Sequence, residues 1–332
     1  MSQSEATAVA CANIAFVKYW GNLDADRRLP LNDSLSMNLS AATTTTHVRF
    51  DPRLAADRVA LDGETRYGPT RARVVAHLDR VRRRAGIGTR AEVTSANSFP
   101  MGTGIASSAS GFAALTLAAV GAVGLERSEE ELSVLARLGS GSAARSVPGG
   151  FVEWRAADTD AGSFARSLAP PEHWDLRDVV AVVSRDHKAV GSADGHTAAR
   201  TSPYLGARLA ELPPRLGAVR RALLARDLAS LGPAAEAEAL SLHAVAMTSR
   251  PPVLYWQPGT LALLHVVRRW RSQGLGVYFT LDAGPNVHLL CEGHDAAAVE
   301  AELAHLDYVE FSLHNRPGGA ARLVTAAQDV PA

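Results

Sequence analysis

A strand, a loop of small residues and a long apolar helix follow one another within residues 91–123, and this segment constrains the fold most. Its loop, residues 97–111, is rich in glycine and serine. Small residues let backbone N–H groups approach phosphate oxygens, and the N-terminus of the next helix adds a favourable dipole. The segment therefore predicts a phosphate site, where Ser107 and Ser108 could bond phosphate or ligate a metal. Because the Gly-Lys-Ser/Thr ending of the common nucleotide loop is absent, a tightly packed helix start is the alternative.

Length and charge narrow the class of protein. A chain of 332 residues is long enough for about two domains, and 47% hydrophobic with 20% charged residues is typical of a folded chain. Its 34 basic residues equal its 34 acidic ones, which argues against a nucleic-acid partner. We find neither an apolar run of about 18 residues nor a secretory signal, and predict no membrane span and a cytoplasmic location. Cys11 and Cys291 are expected to be reduced and buried.

Hydrophobic periodicity predicts a mixture of strands and helices. Strands are expected at residues 43–50, 91–95, 151–155, 179–184, 277–281 and 287–291. Helices are expected at residues 71–85, 129–138, 203–231, 234–247, 260–273 and 296–305. Ser128 is the expected N-cap of its helix, and the pair Pro213 and Pro214 is expected to break the helix that contains it.

Two further segments carry candidate chemistry. Residues 139–146 form a second glycine and serine loop that ends near Arg145, whose guanidinium suits a carboxylate or a phosphate. The alternative for this segment is a flexible connector with a surface arginine. Asp282 follows an apolar strand at a tight turn, where it is either a catalytic base or a residue that initiates the turn.

Other polar groups are expected to be structural or solvent-facing. His187, His196 and His243 lack the spacing of zinc ligands. The arginines within residues 80–84 are predicted to form a solvated helix face, with nucleic-acid binding as the alternative.

Five segments, taken in order, carry a resemblance to one family. They are residues 12–21, which read Ala-Asn-Ile-Ala-Phe-Val-Lys-Tyr-Trp-Gly, and residues 29–36, 99–111, 139–154 and 278–286. Together they resemble the mevalonate diphosphate decarboxylases, in the superfamily that includes galactokinase, homoserine kinase and mevalonate kinase. The resemblance implies an α+β chain with a ribosomal-protein-like N-terminal domain, residues 1–185, and a ferredoxin-like C-terminal domain, residues 186–332. The active site is expected in the cleft between them.

The resemblance also implies a chemistry. ATP would phosphorylate the hydroxyl at carbon 3 of a phosphorylated mevalonate, after which phosphate and CO2 leave. Asp282 matches the catalytic aspartate, Lys18 the lysine beside the phosphoryl group and Arg145 the arginine that holds the carboxylate. Substrate binding is expected from Tyr19, Asn22, Arg73, Ser140, Ser142, Arg145 and Ser192. ATP binding is expected from Gly102, Gly104, Ala106, Ser107 and Ser108, with Ser107 and Ser108 also as magnesium ligands. A homodimer is expected.

Two departures from the family pattern bear on the substrate. Asn22 stands where diphosphate enzymes usually carry a lysine, and Ala193 stands where they usually carry an arginine. In the resemblance both cations lie near the terminal phosphate, so their loss favours mevalonate 5-phosphate as substrate and isopentenyl phosphate as product. The alternatives are a diphosphate decarboxylase in which Lys188 or Arg185 compensates, a kinase that does not decarboxylate, and a catalytically silent regulator.

Overall fold

The computed structural model describes residues 4–99, 107–186 and 189–324. Within these ranges the chain forms fourteen strands and eight α-helices. The strands are β1 (Glu5–Val17), β2 (Asn22–Asp24), β3 (Leu29–Pro30), β4 (Ser34–Phe50), β5 (Arg58–Leu61), β6 (Glu64–Thr65), β7 (Ala91–Asn97), β8 (Phe151–Trp154), β9 (Ala165–Ala169), β10 (Leu176–Val182), β11 (Val277–Thr280), β12 (Val287–Glu292), β13 (Phe311–Asn315) and β14 (Arg322–Val324). The helices are α1 (Gly68–Ala85), α2 (Ser107–Ala122), α3 (Glu129–Gly139), α4 (Ser192–Ala198), α5 (Leu205–Ala225), α6 (Leu228–Met247), α7 (Pro258–Ser272) and α8 (Ala296–Leu303).

The larger sheet is built around the long antiparallel pair β1 and β4. Its order is β14-β1-β4-β7-β5-β6, with β8 beside β4 and β9 beside β8. From Ala42 to Phe50 the side chains of β4 alternate between buried and half-buried, as the predicted strand requires when one face is covered. Helix α2 lies against this sheet and is buried almost all round, because its small side chains allow close packing.

The smaller sheet has the order β11-β12-β10-β13, and each of its pairs is antiparallel. Helices α7 and α8 cover one of its faces. Its other face joins a core that reaches the larger sheet, with Phe16, Met37 and Val180 in one cluster. The predicted α+β class is confirmed, whereas the division between residues 185 and 186 stays a prediction. Cys11 and Cys291 are free and buried, as expected.

The predicted break at Pro213 and Pro214 is wrong, because α5 continues through both residues. Each proline removes one backbone donor, which usually weakens a helix. Here the buried side chains Leu212, Val219 and Leu223 pack against the core between the two sheets, and this packing holds the helix together.

The break lies instead at residues 226 and 227. Arg226 ends α5 in the left-handed conformation, with φ of 57°. Asp227 then begins α6, since its Oδ1 accepts a hydrogen bond from Ser230 N at 3.1 Å. The predicted cap at Ser128 is confirmed, because Ser128 and Glu131 form a reciprocal capping box at the start of α3.

None of the helices in the described ranges combines the length and apolarity that crossing a bilayer requires.

Candidate active site

A cleft of about 400 Å³ lies where the end of β1 meets the starts of α2 and α4 and the turn after β11. Ten of the predicted site residues line it: Lys18, Tyr19, Arg73, Ser107, Ser108, Ser140, Ser142, Arg145, Ser192 and Asp282. Asn22 lies beside the cleft, in contact with Tyr19. The predicted ATP-binding residues Gly102, Gly104 and Ala106 lie outside the described residues.

Lys18 and Asp282 form an ion pair at the floor of the cleft. Lys18 follows directly on β1, and its side chain is 1% exposed. Its Nζ lies 2.9 Å from Asp282 Oδ1 and also donates to the carbonyl of Ala15. The Asp282 side chain is 22% exposed and opens onto the cleft, so a ligand can reach it.

The ion pair controls the charge of both groups. Burial alone would raise the pKa of Asp282, but the Lys18 ammonium, with His288 and Arg145, outweighs burial and holds that pKa below its usual range. Burial lowers the pKa of Lys18, and the carboxylates of Asp282 and Glu238 oppose part of that effect. Asp282 is therefore ionised at neutral pH.

His243 contacts the backbone of the turn that carries Asp282. Its Nε2 lies 3.2 Å from the Asp282 carbonyl oxygen, and because a carbonyl only accepts, that nitrogen carries the hydrogen. Burial, together with the charge of Lys18, lowers the pKa of His243 to about 3, so the ring is neutral. The structural role expected of His243 agrees with this position.

The backbone of Lys18 is held by a buried carboxylate from α6. Glu238 is fully buried and its Oε1 accepts from Lys18 N at 2.9 Å. Arg208 donates to the same oxygen at 2.6 Å and to the Lys18 carbonyl at 3.2 Å. Arg215 donates to the other oxygen of Glu238 at 2.9 Å. Helices α5 and α6 thereby fix the end of β1.

Arg145 enters the cleft from a short 3-10 helix, Gly141–Ser146, and is 2% exposed. Two of its nitrogens donate to Asn13 Oδ1 at 3.1 and 3.2 Å, and a third donates to Ser34 Oγ at 2.7 Å. Burial lowers its pKa to about 10, which leaves it charged at neutral pH. The alternative of a flexible connector with a surface arginine is therefore wrong.

Tyr19 forms one wall of the cleft. Its hydroxyl donates to Asn22 Oδ1, and its ring lies 4.0 Å from the ring of His196, measured between centroids. On its other side the ring approaches Gly141, where an added Cβ would lie 2.5 Å from Tyr19 Cε1. Glycine is thus required at residue 141 by close approach.

The start of α2 also supplies hydroxyl groups to the cleft. Ser107 and Ser108 occupy the first turn of this 16-residue helix, where the unpaired N–H groups and the dipole favour an anion. Ser108 Oγ lies 3.2 Å from Ser140 Oγ, so the two small-residue loops meet here.

The start of α4 completes the cleft. Ser192, Ala193 and Asp194 line it, so the methyl group of Ala193 stands where the resemblance leads us to expect an arginine, and the Asp194 carboxylate is the next side chain. His196 also lines the cleft, and its Nδ1 accepts from Gly21 N at 2.9 Å. Because a backbone N–H only donates, the other ring nitrogen of His196 carries the hydrogen in the neutral form.

Several residues near the cleft were not predicted as site residues, and among them are four with ionisable side chains. Arg28, Asp194 and His196 line it, and Glu238 lies behind Lys18. Asp194 and His196 lie two and four residues after Ser192, which was expected at the site. This closeness in sequence was the one feature that could have indicated them. Nothing in the sequence distinguishes Arg28 from its neighbour Arg27, or Glu238 from other acidic residues of its helix.

Comparison with known families decides the relationship. Residues 10–165 match the diphosphomevalonate decarboxylase-like N-terminal domain, and residues 178–316 match the mevalonate 5-diphosphate decarboxylase C-terminal domain. The chain belongs to the diphosphomevalonate decarboxylase family. The predicted membership and two-domain α+β fold are thereby confirmed.

Relatives with different substrate names are almost equally similar to this chain. Diphosphomevalonate decarboxylase mvd1 of Aspergillus fumigatus is 37% identical over 306 residues, which cover 85% of this chain and 75% of that protein. Phosphomevalonate decarboxylase of Haloferax volcanii is 36% identical over 301 residues, covering 90% and 92%. A solved structure of MDDEF in complex with MVAPP, AMPPCP and magnesium is 36% identical, has a TM-score of 0.91 and covers 96% and 98% of the two chains.

Proposed function

We propose that this chain is an ATP-dependent decarboxylase that converts mevalonate 5-phosphate to isopentenyl phosphate. The observation that carries the reaction class is the meeting of Lys18, Asp282 and Arg145 in one buried part of the cleft. The family to which the chain belongs and the ligands named for MDDEF support the same class.

The reaction transfers the γ-phosphoryl group of ATP to the oxygen on carbon 3 of the substrate. The hydroxyl proton leaves toward Asp282, and the carbon–oxygen bond then breaks as inorganic phosphate departs. The electrons of the bond between carbon 1 and carbon 2 form the new double bond between carbon 2 and carbon 3. ADP, phosphate, CO2 and isopentenyl phosphate are the products.

Asp282, Lys18 and Arg145 each have a distinct role in this reaction. Asp282 is ionised and opens onto the cleft, so it accepts the hydrogen bond of the hydroxyl and orients the oxygen for transfer. Lys18 places positive charge beside the transferring group, where negative charge develops. Arg145 binds the substrate carboxylate with its planar guanidinium, and its bonds to Asn13 and Ser34 keep that fork in one orientation.

Ser107 and Ser108 are suited to ATP phosphates and to magnesium. Magnesium takes hard oxygen ligands and is commonly held by one or two protein groups together with waters and phosphates. Two hydroxyls at a helix N-terminus fit that pattern. Bound magnesium would neutralise phosphate charge, in addition to the positive charge that Lys18 brings to the cleft.

The substrate assignment rests on the charge at the Tyr19 end of the cleft. Asn22 and Ala193 bring no cation there, and Asp194 adds a carboxylate. A charged hydrogen bond is worth about 1.5–3 kcal/mol, so the loss of two costs a diphosphate about two to four powers of ten in affinity. Of the two proposed compensating residues, Arg185 pairs with Glu310 at 2.8 Å, and Lys188 lies outside the described residues.

Product analysis tests this proposal and separates the alternatives. With mevalonate 5-phosphate we expect one CO2 for each ADP, whereas a kinase releases ADP without CO2 and a silent regulator releases neither. The double variant N22K/A193R restores both missing cations and is expected to raise kcat/KM for mevalonate 5-diphosphate. Mevalonate 5-diphosphate is the second candidate substrate, because the Aspergillus relative is named for it. An unchanged kcat/KM in the double variant would count against our explanation of the specificity.

A further inference from the structure

Arg28 occupies a conformation that its residue type does not favour. It lies in the turn between β2 and β3, and its φ is 52°, in the left-handed region. Glycine and asparagine adopt this conformation more readily than arginine does. An arginine held in such a conformation suggests that its side chain has a use.

The Arg28 side chain turns inward and is fixed there. Its Nε donates to the carbonyl of Leu138 at 3.2 Å, at the end of α3. The residue is half-buried and lines the cleft together with Tyr19, Arg73 and Ser140. In the described part of the chain, no carboxylate lies within ion-pair distance of this guanidinium.

The neighbouring residue Arg27 differs from Arg28, because its side chain points to solvent and forms an ion pair within the turn. Arg27 is exposed, and its Nε lies 2.7 Å from Asp24 Oδ2, so its charge is neutralised within the turn. Arg28 instead lies near Arg73. Burial lowers the pKa of Arg73, and the positive charge of Arg28 lowers it further. Burial raises the pKa of Tyr19, and Arg28 is the strongest of the charges that oppose this rise. An anion bound among these residues would relieve the repulsion.

We propose that Arg28 binds the 5-phosphate of the substrate and replaces the cation that is missing at residue 22. Arg28 lines the cleft together with Tyr19, and Asn22, which contacts Tyr19, lies on β2 of the same β2–β3 hairpin. One guanidinium there, with Asp194 nearby, suits a single phosphate group rather than two. Arg28 is then a specificity-determining residue of this chain.

The variant R28N tests this role with little disturbance of the backbone. Asparagine tolerates the left-handed conformation, so R28N removes the guanidinium without adding strain. R27N is the matched control, because it removes the adjacent charge that Asp24 already neutralises. The KM for mevalonate 5-phosphate is expected to rise about 10- to 100-fold in R28N, the effect of one charged hydrogen bond. R27N is expected to behave as the wild type.

Two further readouts separate binding from folding. The KM for ATP and the kcat/KM for unphosphorylated mevalonate are expected to stay unchanged in R28N, because neither depends on the 5-phosphate. R28K is expected to recover part of the affinity for mevalonate 5-phosphate, since lysine restores the positive charge but not the planar, two-pronged guanidinium donor. A raised KM for ATP, or an equal loss with unphosphorylated mevalonate, would overturn the role of Arg28.

The role of Arg28 rests on the proposed function, but different results would overturn each of them. A wild-type preference for mevalonate 5-diphosphate overturns the proposed substrate. Equal KM values of R28N and the wild type for the preferred phosphorylated substrate overturn the role of Arg28, whichever substrate that is.

Discussion

Replacing Glu238 by glutamine removes the buried charge that holds the backbone of Lys18. In the wild type this carboxylate accepts from Lys18 N and pairs with Arg208 and Arg215. The side chains of Glu238 and Arg208 are 0% and 1% exposed, so water cannot replace the lost partner. Breaking a buried ion pair from one side costs about 3–5 kcal/mol, against a total stability of about 5–15 kcal/mol for a typical domain. We therefore expect E238Q to unfold at clearly lower urea concentration.

The pH dependence of kcat is the more specific readout. Lys18 must keep its proton to offset the developing negative charge, so kcat falls as the pH rises through the pKa of Lys18. Burial lowers that pKa, and Asp282 and Glu238 oppose the effect. Because E238Q removes one of these two carboxylates, the alkaline fall in kcat is expected to move to lower pH.

Glu236→Gln is the matched control for this experiment. Glu236 lies on the same helix and pairs with Arg271 at 2.7 Å, but Arg271 is 29% exposed and Lys18 is not a partner. E236Q is expected to lose less stability and to keep the wild-type alkaline fall. If E238Q and E236Q show the same alkaline fall, the proposed link between Glu238 and Lys18 is refuted.

Two other substitutions test the floor and the wall of the cleft. D282N is expected to reduce kcat by about 10²–10⁴-fold or more while ATP still binds, because the amide cannot take up the hydroxyl proton. Near-normal turnover of D282N would contradict the role of Asp282. Isothermal titration with a non-hydrolysable ATP analogue checks binding. G141A is expected to raise the KM for the phosphorylated substrate, since the new Cβ would lie 2.5 Å from the Tyr19 ring and must displace it. The KM for ATP is the internal control, and an unchanged substrate KM would show that the wall tolerates the displacement.

Local sequence signals account for many elements of the fold, whereas Lys18, Tyr19, Arg73 and Ser192 were expected at the cleft only because of the family resemblance. The capping box at Ser128 and the strand that ends before Asp282 depend on neighbours within a few residues, so a pattern can predict them. The predicted break at Pro213 failed because packing against a core assembled from both sheets outweighs the local cost of proline.

The supporting residues of the site could not be predicted in the same way. Glu238 contacts Lys18 at a sequence separation of 220 residues, and no local pattern encodes that contact. Arg28 and Arg27 have the same residue type in the same turn, and only the backbone conformation decides which one faces the cleft. The homodimer, the cytoplasmic location and the exact division between the domains stay predictions.

The ratio of kcat/KM for mevalonate 5-phosphate to kcat/KM for mevalonate 5-diphosphate tests the substrate assignment most directly. Both values are measured on the wild-type enzyme with saturating ATP and magnesium, from the release of CO2. Two cations are missing at Asn22 and Ala193 and Arg28 replaces one of them, so the one charged hydrogen bond that stays lost predicts a ratio of at least about 10 in favour of the monophosphate. A ratio below one would contradict the assignment and would mean that the diphosphate finds its positive charge elsewhere in the cleft.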